Sequence, residues 1–191
     1  MTAFPCVEVG CGGTVTPVDC SGNERKRNGV AYRLAAGTLC PTCDRCGEKW
    51  STPDLAVADD AAFRAAWLVK TTRSVTGLYG QPPPEDYAPT PTDDFACLLE
   101  VLPLVASTDL CFNRHGKPRY DAEGGVGLWF ESNRKRYHRS AWLACTQGRM
   151  FVLTTDYDRE DRGGTEVAPV SDRDACRALL AKTRAFFLEM P

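Results

Sequence analysis

Cysteine is the residue that most constrains this chain, because ten cysteines occur among its 191 residues. Six of them fall within the first 46 residues, and the other four are scattered singly along the rest. Cysteines this frequent indicate either the disulfide framework of a secreted protein or thiolate ligands for a metal inside the cell. The first residues lack the basic start and apolar run of a secretory signal. We therefore expect reduced thiols in the cytoplasm.

The N-terminal cysteines form two pairs with the spacing of zinc knuckles. Each pair is followed by glycine, which lets the backbone turn back towards a bound ion. A module this small buries too little surface to fold alone, so structural zinc (Zn2+) would supply the missing stability. We predict a four-thiolate zinc-ribbon module over 1–50, with Trp50 packed on it and with these ligands: Cys6, Cys11, Cys43 and Cys46.

Two further cysteines leave the ligand set open. Cys40 also forms a two-residue-spaced pair with Cys43, and Cys20 could replace a member of the first pair. A catalytic zinc keeps an open position and often has a histidine ligand, whereas His115 and His138 both lie outside the module. We therefore expect a structural ion. The scattered cysteines are expected to be small buried hydrophobes: Cys97, Cys111, Cys145 and Cys176.

The rest of the chain predicts helices and an antiparallel sheet. A helix start at Thr52-Pro53-Asp54 predicts a helix over 51–76, and five prolines predict a linker over 77–92. The run Phe95–Leu102 fits a helix or a short buried strand. The strongest apolar stretch, 95–106, is too short to cross a bilayer. Three runs rich in aromatic and branched residues predict the strands of an antiparallel meander, over 126–130, 138–145 and 149–155. A capped apolar stripe predicts a C-terminal helix over 171–191.

The predicted fold class is therefore α+β. The N-terminal zinc-ribbon module is followed by a small antiparallel sheet with two or three packed helices. In domain terms, the predicted helix and linker separate the module from an α+β domain over 93–191 that ends in a helix.

Charge is segregated along the chain, although the formal net charge is only −2. That small value excludes a uniformly basic coat protein, yet 110–150 carries eight basic and three acidic side chains. Lys and Arg bind phosphates, and unpaired bases stack on aromatic rings. We predict nucleic-acid contacts from two basic, aromatic runs and from a loop at 21–29, with solvated charge as the alternative: Arg25, Lys26, Arg27, Arg114, Lys117, Arg119, Arg134, Lys135, Arg136, Tyr137, His138 and Arg139.

One acidic run could hold a divalent cation and suggests a nuclease as a further alternative. It comprises Asp156, Asp158, Glu160 and Asp161. Its spacing is unspecific, and Walker, Gly-x-Ser-x-Gly and His-Glu-x-x-His motifs are absent from the sequence. We expect a turn of solvated acids and a protein that is not an enzyme.

Two regions of the sequence suggest a family: the segment 131–138 leading into 149–152, and the cysteine cluster Cys6, Cys11, Cys40, Cys43 and Cys46. In these regions the chain resembles the zinc-ribbon large subunit of type IV CRISPR effector complexes. In that family a Ser-x-x-Lys-His-like turn follows a Pro-rich connection and a short hydrophobic strand, here Pro82–Pro91 and Phe95–Leu102. The resemblance implies a non-catalytic subunit of an antiviral ribonucleoprotein that contacts guide RNA, target-flanking duplex DNA and other protein subunits. The competing expectation is a protein–protein adaptor of a phage or defence system.

Overall fold

The computed structural model describes residues 2–85, 90–120, 126–132, 138–158 and 161–188, with the backbone alone at 114–115 and 161–164. The chain divides into two compact units, Met1–Ala66 and Trp67–Pro191. The division differs from the boundaries predicted at 50, 76 and 92, because it falls within a helix. Among the described residues, no helix is both long enough and apolar enough to span a bilayer.

Unit 1 is built from five short strands and the first half of a helix. The elements are β1 (Phe4–Pro5), β2 (Thr14–Asp19), β3 (Glu24–Arg27), β4 (Val30–Arg33), β5 (Leu39–Cys43) and α1 (Pro53–Leu78). Strands β1, β2 and β5 form an antiparallel sheet in that order, and β3 pairs with β4 as a separate hairpin. The predicted loop at 21–29 is therefore wrong in part, because Arg25, Lys26 and Arg27 lie in β3. The hairpin turns at Asn28-Gly29, where φ is 48° and 74°, the conformation that favours Asn-Gly.

Helix α1 begins where the sequence predicts a helix start. The Thr52 hydroxyl accepts a hydrogen bond from the Leu55 N–H at 3.2 Å, as expected of an N-cap residue followed by proline. The helix ends at Leu78 rather than at the predicted residue 76. Its first half belongs to unit 1 and its second half to unit 2.

Asp59 on α1 ties the β3–β4 hairpin to the helix within unit 1. This residue is 6% exposed, and its carboxylate accepts from the Tyr32 hydroxyl at 3.1 Å. It also pairs with Arg25 at 3.0 Å and with Arg27 at 2.6 Å. Arg27 reaches Asp60 as well, at 2.8 Å. The two arginines of β3 therefore hold the hairpin in place, and Lys26 between them is the exposed cation.

Replacing Asp59 by alanine should destabilise unit 1 by about 3 kcal/mol, because Arg27 and Tyr32 lose a buried acceptor. Urea denaturation of the full chain, followed by hydrogen exchange in 24–33, measures the effect. Glu24→Ala is the matched control, since it removes only the exposed pair with Arg33 at 3.6 Å and should cost less than about 0.5 kcal/mol. Equal losses in the two variants would contradict the role given to Asp59.

Unit 2 contains the second half of α1, two further helices and a five-stranded sheet. The elements are α2 (Thr92–Ser107), a 3-10 turn (Asp109–Phe112), β6 (Arg114–Tyr120), β7 (Val126–Glu131), β8 (Arg139–Thr146), β9 (Arg149–Asp156), β10 (Asp161–Pro169) and α3 (Arg173–Leu188). The sheet is an antiparallel meander of order β10-β9-β8-β7-β6. It confirms the three predicted strands and adds an edge strand on each side.

The run Phe95–Leu102 lies within α2, so the short strand that the resemblance implies is wrong. Leu98, Val101, Leu102 and Val105 are all fully buried, and their spacing places them on one side of a helix. This stripe faces β7, β8 and β9. A helix rather than a strand therefore forms, since the helical period brings these four side chains to the same side.

Helices α2 and α3 pack on one face of the sheet. Helix α2 lies against β7, β8 and β9, and α3 lies against β9 and β10. The strands contribute side chains to this helix-covered face that are at most 1% exposed: Leu128, Phe130, Leu143, Met150 and Val152. Gly116 on β6 is a point of close approach, because a Cβ there would lie 3.1 Å from the Trp67 indole nitrogen. The core of unit 2 therefore lies between this face and the helices.

Candidate metal centre and nucleic-acid interface

Four cysteine sulfurs converge in unit 1. The Sγ atoms of Cys6, Cys11, Cys43 and Cys46 all lie within 4.8 Å of one another. The Cys6–Cys46 sulfur distance is 3.8 Å and the Cys11–Cys43 distance is 3.5 Å. A tetrahedral zinc ion bound by four sulfurs at about 2.3 Å has sulfur–sulfur edges of about 3.8 Å. The four thiols could therefore hold one metal ion with little rearrangement.

Backbone geometry shapes both turns around these sulfurs. The Arg45 N–H donates to Cys43 Sγ at 3.4 Å, and Gly47 closes the second turn with φ at 74°. Gly13 lies so close to the cluster that a Cβ there would sit 2.6 Å from Cys43 Sγ. The Asp44 carboxylate accepts from the Thr14 N–H at 2.8 Å and joins the two turns. Glycine is thus required at 13, where a side chain would collide with the cluster, and favoured at 47, where the backbone is left-handed.

Cys43 and Cys6 of the cluster differ in acidity. Hydrogen bonds from the backbone N–H groups of Cys46 and Arg45 lower the pKa of Cys43 to about 6, which makes it a thiolate at neutral pH. Burial raises the pKa of Cys6 to about 12, so that sulfur stays protonated without a cation. A divalent ion deprotonates the thiols that coordinate it, which would bring all four sulfurs to the same charged state.

The alternative ligands Cys20 and Cys40 lie in the hydrophobic core of unit 1. They cluster with Leu34 and Leu55 and are 5% and 4% exposed. Cys20 Sγ donates to the Thr38 carbonyl at 3.2 Å. The structure therefore brings the four preferred cysteines together and places both alternatives elsewhere.

Aromatic packing and the remaining thiols follow the sequence predictions. Trp50 packs edge-on against Phe4, with ring centres 6.3 Å apart. The four scattered cysteines of unit 2 are all buried, as predicted. Burial raises the pKa of the Cys176 thiol, which is expected of a thiol that serves as a small core side chain.

Arg139 is buried and belongs to the core, so its predicted contact with nucleic acid is wrong. It is 5% exposed, and its Nε donates to Asp156 at 2.8 Å. Its guanidinium also donates to the Phe186 carbonyl of α3. Asp156 is only 7% exposed, so the prediction of a solvated acid is wrong for this residue. The reason is strand register: Arg139 pairs directly with Asp156 on the helix-covered face.

The opposite side of the sheet gathers basic and aromatic residues. Directly paired residues of neighbouring strands point to the same side. The outer face is defined here by two rows that cross all five strands: Lys117, Trp129, Trp142, Leu153 and Thr165, and beside them Arg119, Gly127, Ala144, Phe151 and Val167. Lys117 and Arg119 on β6 are both exposed.

Arg119 and two tryptophans form the first aromatic cluster of the outer face. The Arg119 guanidinium lies 4.4 Å from the Trp129 ring centre and 5.9 Å from that of Trp142. The Trp129 indole donates to Glu131 at 2.9 Å. Trp142 is 4% exposed, and within the part of the chain that the structure describes its Nε1 finds no acceptor. The nucleic-acid contacts predicted from the sequence include Arg119 but neither of the two tryptophans.

His138 and Tyr157 form the second aromatic cluster. Their rings are stacked with centres 4.5 Å apart and an interplanar angle of 26°, and Tyr157 is 45% exposed. Ser140 on β8 pairs with Thr155 on β9. His138 and Tyr157 lie two residues beyond them, so the alternation of side chains places the ring pair on the same outer face. The Ser140 hydroxyl lies 3.4 Å from the Tyr157 hydroxyl. His138 is a predicted contact residue, whereas Tyr157 is missed because it follows β9 and lies far from the basic run in the sequence.

Several predicted contact residues fall outside this description. Arg134, Lys135, Arg136 and Tyr137 lie outside the described residues, and so does Glu160 of the acidic run. For Arg114 the backbone is placed in β6. No family model, curated protein or solved structure matches the chain significantly. The assignment of the metal centre and of the outer face therefore rests on their residues and geometry.

Proposed function

We propose that this protein is a non-catalytic nucleic-acid-binding protein whose N-terminal unit is stabilised by zinc. The observation that carries the proposal is the outer face, where basic and aromatic side chains share one side of a sheet. Lys117 and Arg119 are available to phosphates, and the rings of Trp129, His138 and Tyr157 are of the type on which bases stack.

Zinc is the metal that best suits the cysteine cluster. Thiolate ligands favour zinc among the common divalent ions, and a set of four cysteines without histidine is typical of a structural site. Such a site needs reduced thiols. We therefore propose that the protein works in the reducing cytoplasm.

The partners of Asp156 and Asp158 in the acidic run support a non-catalytic role. Asp156 is committed to Arg139 on the helix-covered face, and the Asp158 carboxylate accepts from the His138 N–H at 3.0 Å. Two acids that point to different partners do not form a divalent-cation site. The nuclease alternative therefore has no support among the described residues.

The resemblance to the type IV CRISPR large subunit extends the proposal to an assembly. In that proposal the protein contacts guide RNA, duplex DNA beside the target and neighbouring protein subunits, and it serves antiviral defence. Recovery of a defined small RNA with the purified protein would support this assignment. If the protein purifies free of RNA and binds neither RNA nor duplex DNA, the adaptor alternative replaces it.

Removing the two exposed cations of β6 should weaken binding and its salt dependence. Each phosphate contact adds about −0.7 to the slope of log affinity against log salt for single strands. We expect Lys117→Gln with Arg119→Gln to make that slope less steep by about 1.4, measured by fluorescence anisotropy with labelled RNA. Arg177→Gln with Lys182→Gln, on α3, is the charge-matched control and should leave the slope unchanged. Identical slopes for both double variants would remove the outer face from the interface.

A further inference from the structure

The two aromatic clusters of the outer face are aligned along one strand. Trp142 on β8 and His138, which directly precedes that strand, are four residues apart, which corresponds to about 14 Å in an extended chain. Their cross-strand partners repeat this spacing, because Tyr157 stacks on His138 and Trp129 pairs with Trp142. Ser140 lies between the clusters on the same face. The outer face thus offers two ring platforms at a fixed separation.

The charge of the outer face suits a polyanion. Where the structure describes side chains, this face carries three cations, Lys117, Arg119 and Arg149, and one carboxylate, Glu131. Glu131 is occupied by the Trp129 indole. Arg149 is exposed and lies at the far end of β9 from Tyr157. Positive charge therefore flanks the aromatic clusters.

We infer that the outer face binds single-stranded nucleic acid, with one base stacked on the His138–Tyr157 pair and another on the Arg119–Trp129 pair. The inference rests on the proposed function and specifies its substrate class. A duplex hides the faces of its bases, whereas unpaired bases stack on aromatic rings and on guanidinium planes.

The test compares two probes that carry the same phosphates. One is a short labelled oligothymidylate, and the other is an abasic oligonucleotide of equal length. If bases stack on the outer face, the full zinc-loaded chain binds the oligothymidylate at least roughly tenfold more tightly, because each stacked base contributes about 1–3 kcal/mol.

Variants of each platform identify where the bases bind. His138→Ala with Tyr157→Ala should weaken oligothymidylate binding by roughly tenfold and leave abasic binding unchanged, while Tyr157→Phe keeps the ring and the affinity. Arg119→Lys keeps the charge but loses the planar guanidinium, so it should also weaken only the oligothymidylate. Hydrogen exchange in 139–156 checks that each variant is folded.

The outcomes separate the inference from the proposed function. Equal binding of both probes overturns base stacking and leaves nucleic-acid binding standing. Binding of neither probe overturns both, and release of a copurifying protein by the His138→Ala, Tyr157→Ala variant would assign the outer face to a protein partner instead. Tighter binding of oligothymidylate that no platform variant reduces would place the bases elsewhere and overturn the inference.

Discussion

Replacing Cys43 by serine is expected to unfold unit 1 and release its metal, while the sheet of unit 2 stays folded. Cys43 is the most buried of the four candidate ligands, at 2% exposure, and it lies at the end of β5 next to the core of the unit. A structural zinc contributes on the order of 10–16 kcal/mol, far more than a core this small supplies. Hydrogen exchange on the full chain should therefore show lost protection in 14–43 and retained protection in 139–156.

Cys20→Ser is the matched control for this prediction. It changes a buried thiol of the same unit that donates to the Thr38 carbonyl, a hydrogen bond that serine can also donate. We expect this variant to keep one equivalent of metal, and a strong chelator to reproduce the Cys43→Ser pattern in the unmodified protein. Retained protection of 14–43 after complete metal removal would show that unit 1 folds without the ion.

Arg139→Met should destabilise unit 2 by about 3–5 kcal/mol, because it leaves the Asp156 carboxylate buried without its cation. The Arg139 and Asp156 side chains are 6% and 9% exposed, and their charged atoms are 2.8 Å apart. Guanidinium denaturation of the full chain, followed by tryptophan fluorescence, to which Trp129 and Trp142 of the sheet contribute, and by hydrogen exchange in 139–156, measures the loss. The transition midpoint should fall with little change in its slope.

Two further variants distinguish the loss of a buried ion pair from the simple loss of one positive charge. Arg177→Ala breaks an exposed pair with Asp174, whose side chains are 60% and 92% exposed, and should cost less than about 0.5 kcal/mol. Arg139→Met combined with Asp156→Leu should recover much of the loss, since replacing both partners removes the stranded charge. A loss for Arg139→Met as small as that for Arg177→Ala would contradict the buried pair.

The four converging cysteines are predictable from sequence because each pair has a local signature. Spacing and the following glycine define each turn, and these signals select the two pairs whose sulfurs the structure brings together. The alternative pair Cys40 and Cys43 has equally good spacing, but residues three apart in a strand point to opposite faces. The pairing of β5 with β2, in which Cys43 lies opposite Val15, is what turns Cys40 to the core. That information is non-local.

The edge strands of unit 2 escape prediction for a physical reason. Strand β6 contains Lys117, Pro118 and Arg119, and the pairing of β10 with β9 shifts between Arg162 and Thr165. Charge, proline and irregular pairing protect sheet edges from further association, and they also remove the alternating apolar pattern by which strands are predicted. The central strands keep that pattern, so the meander is predicted and its borders are not.

Arg139 shows a limit of charge-based prediction. In the sequence it ends a basic run, and no local signal indicates that its side chain is buried. Its burial depends on Asp156 from β9 and on the Phe186 carbonyl from α3, partners 17 and 47 residues away. The outer face is likewise assembled from separate strands, so Lys117, Arg119 and His138 are predicted without the rings beside them.

Zinc-edge X-ray absorption of the purified full chain, combined with elemental analysis, tests the metal centre most directly. One equivalent of zinc with four sulfur ligands at about 2.3 Å and no nitrogen is the expected result, and it should be lost in Cys43→Ser and kept in Cys20→Ser. A folded protein without stoichiometric metal, in which Cys6 is bridged to Cys46 and Cys11 to Cys43 by disulfides, would contradict the account.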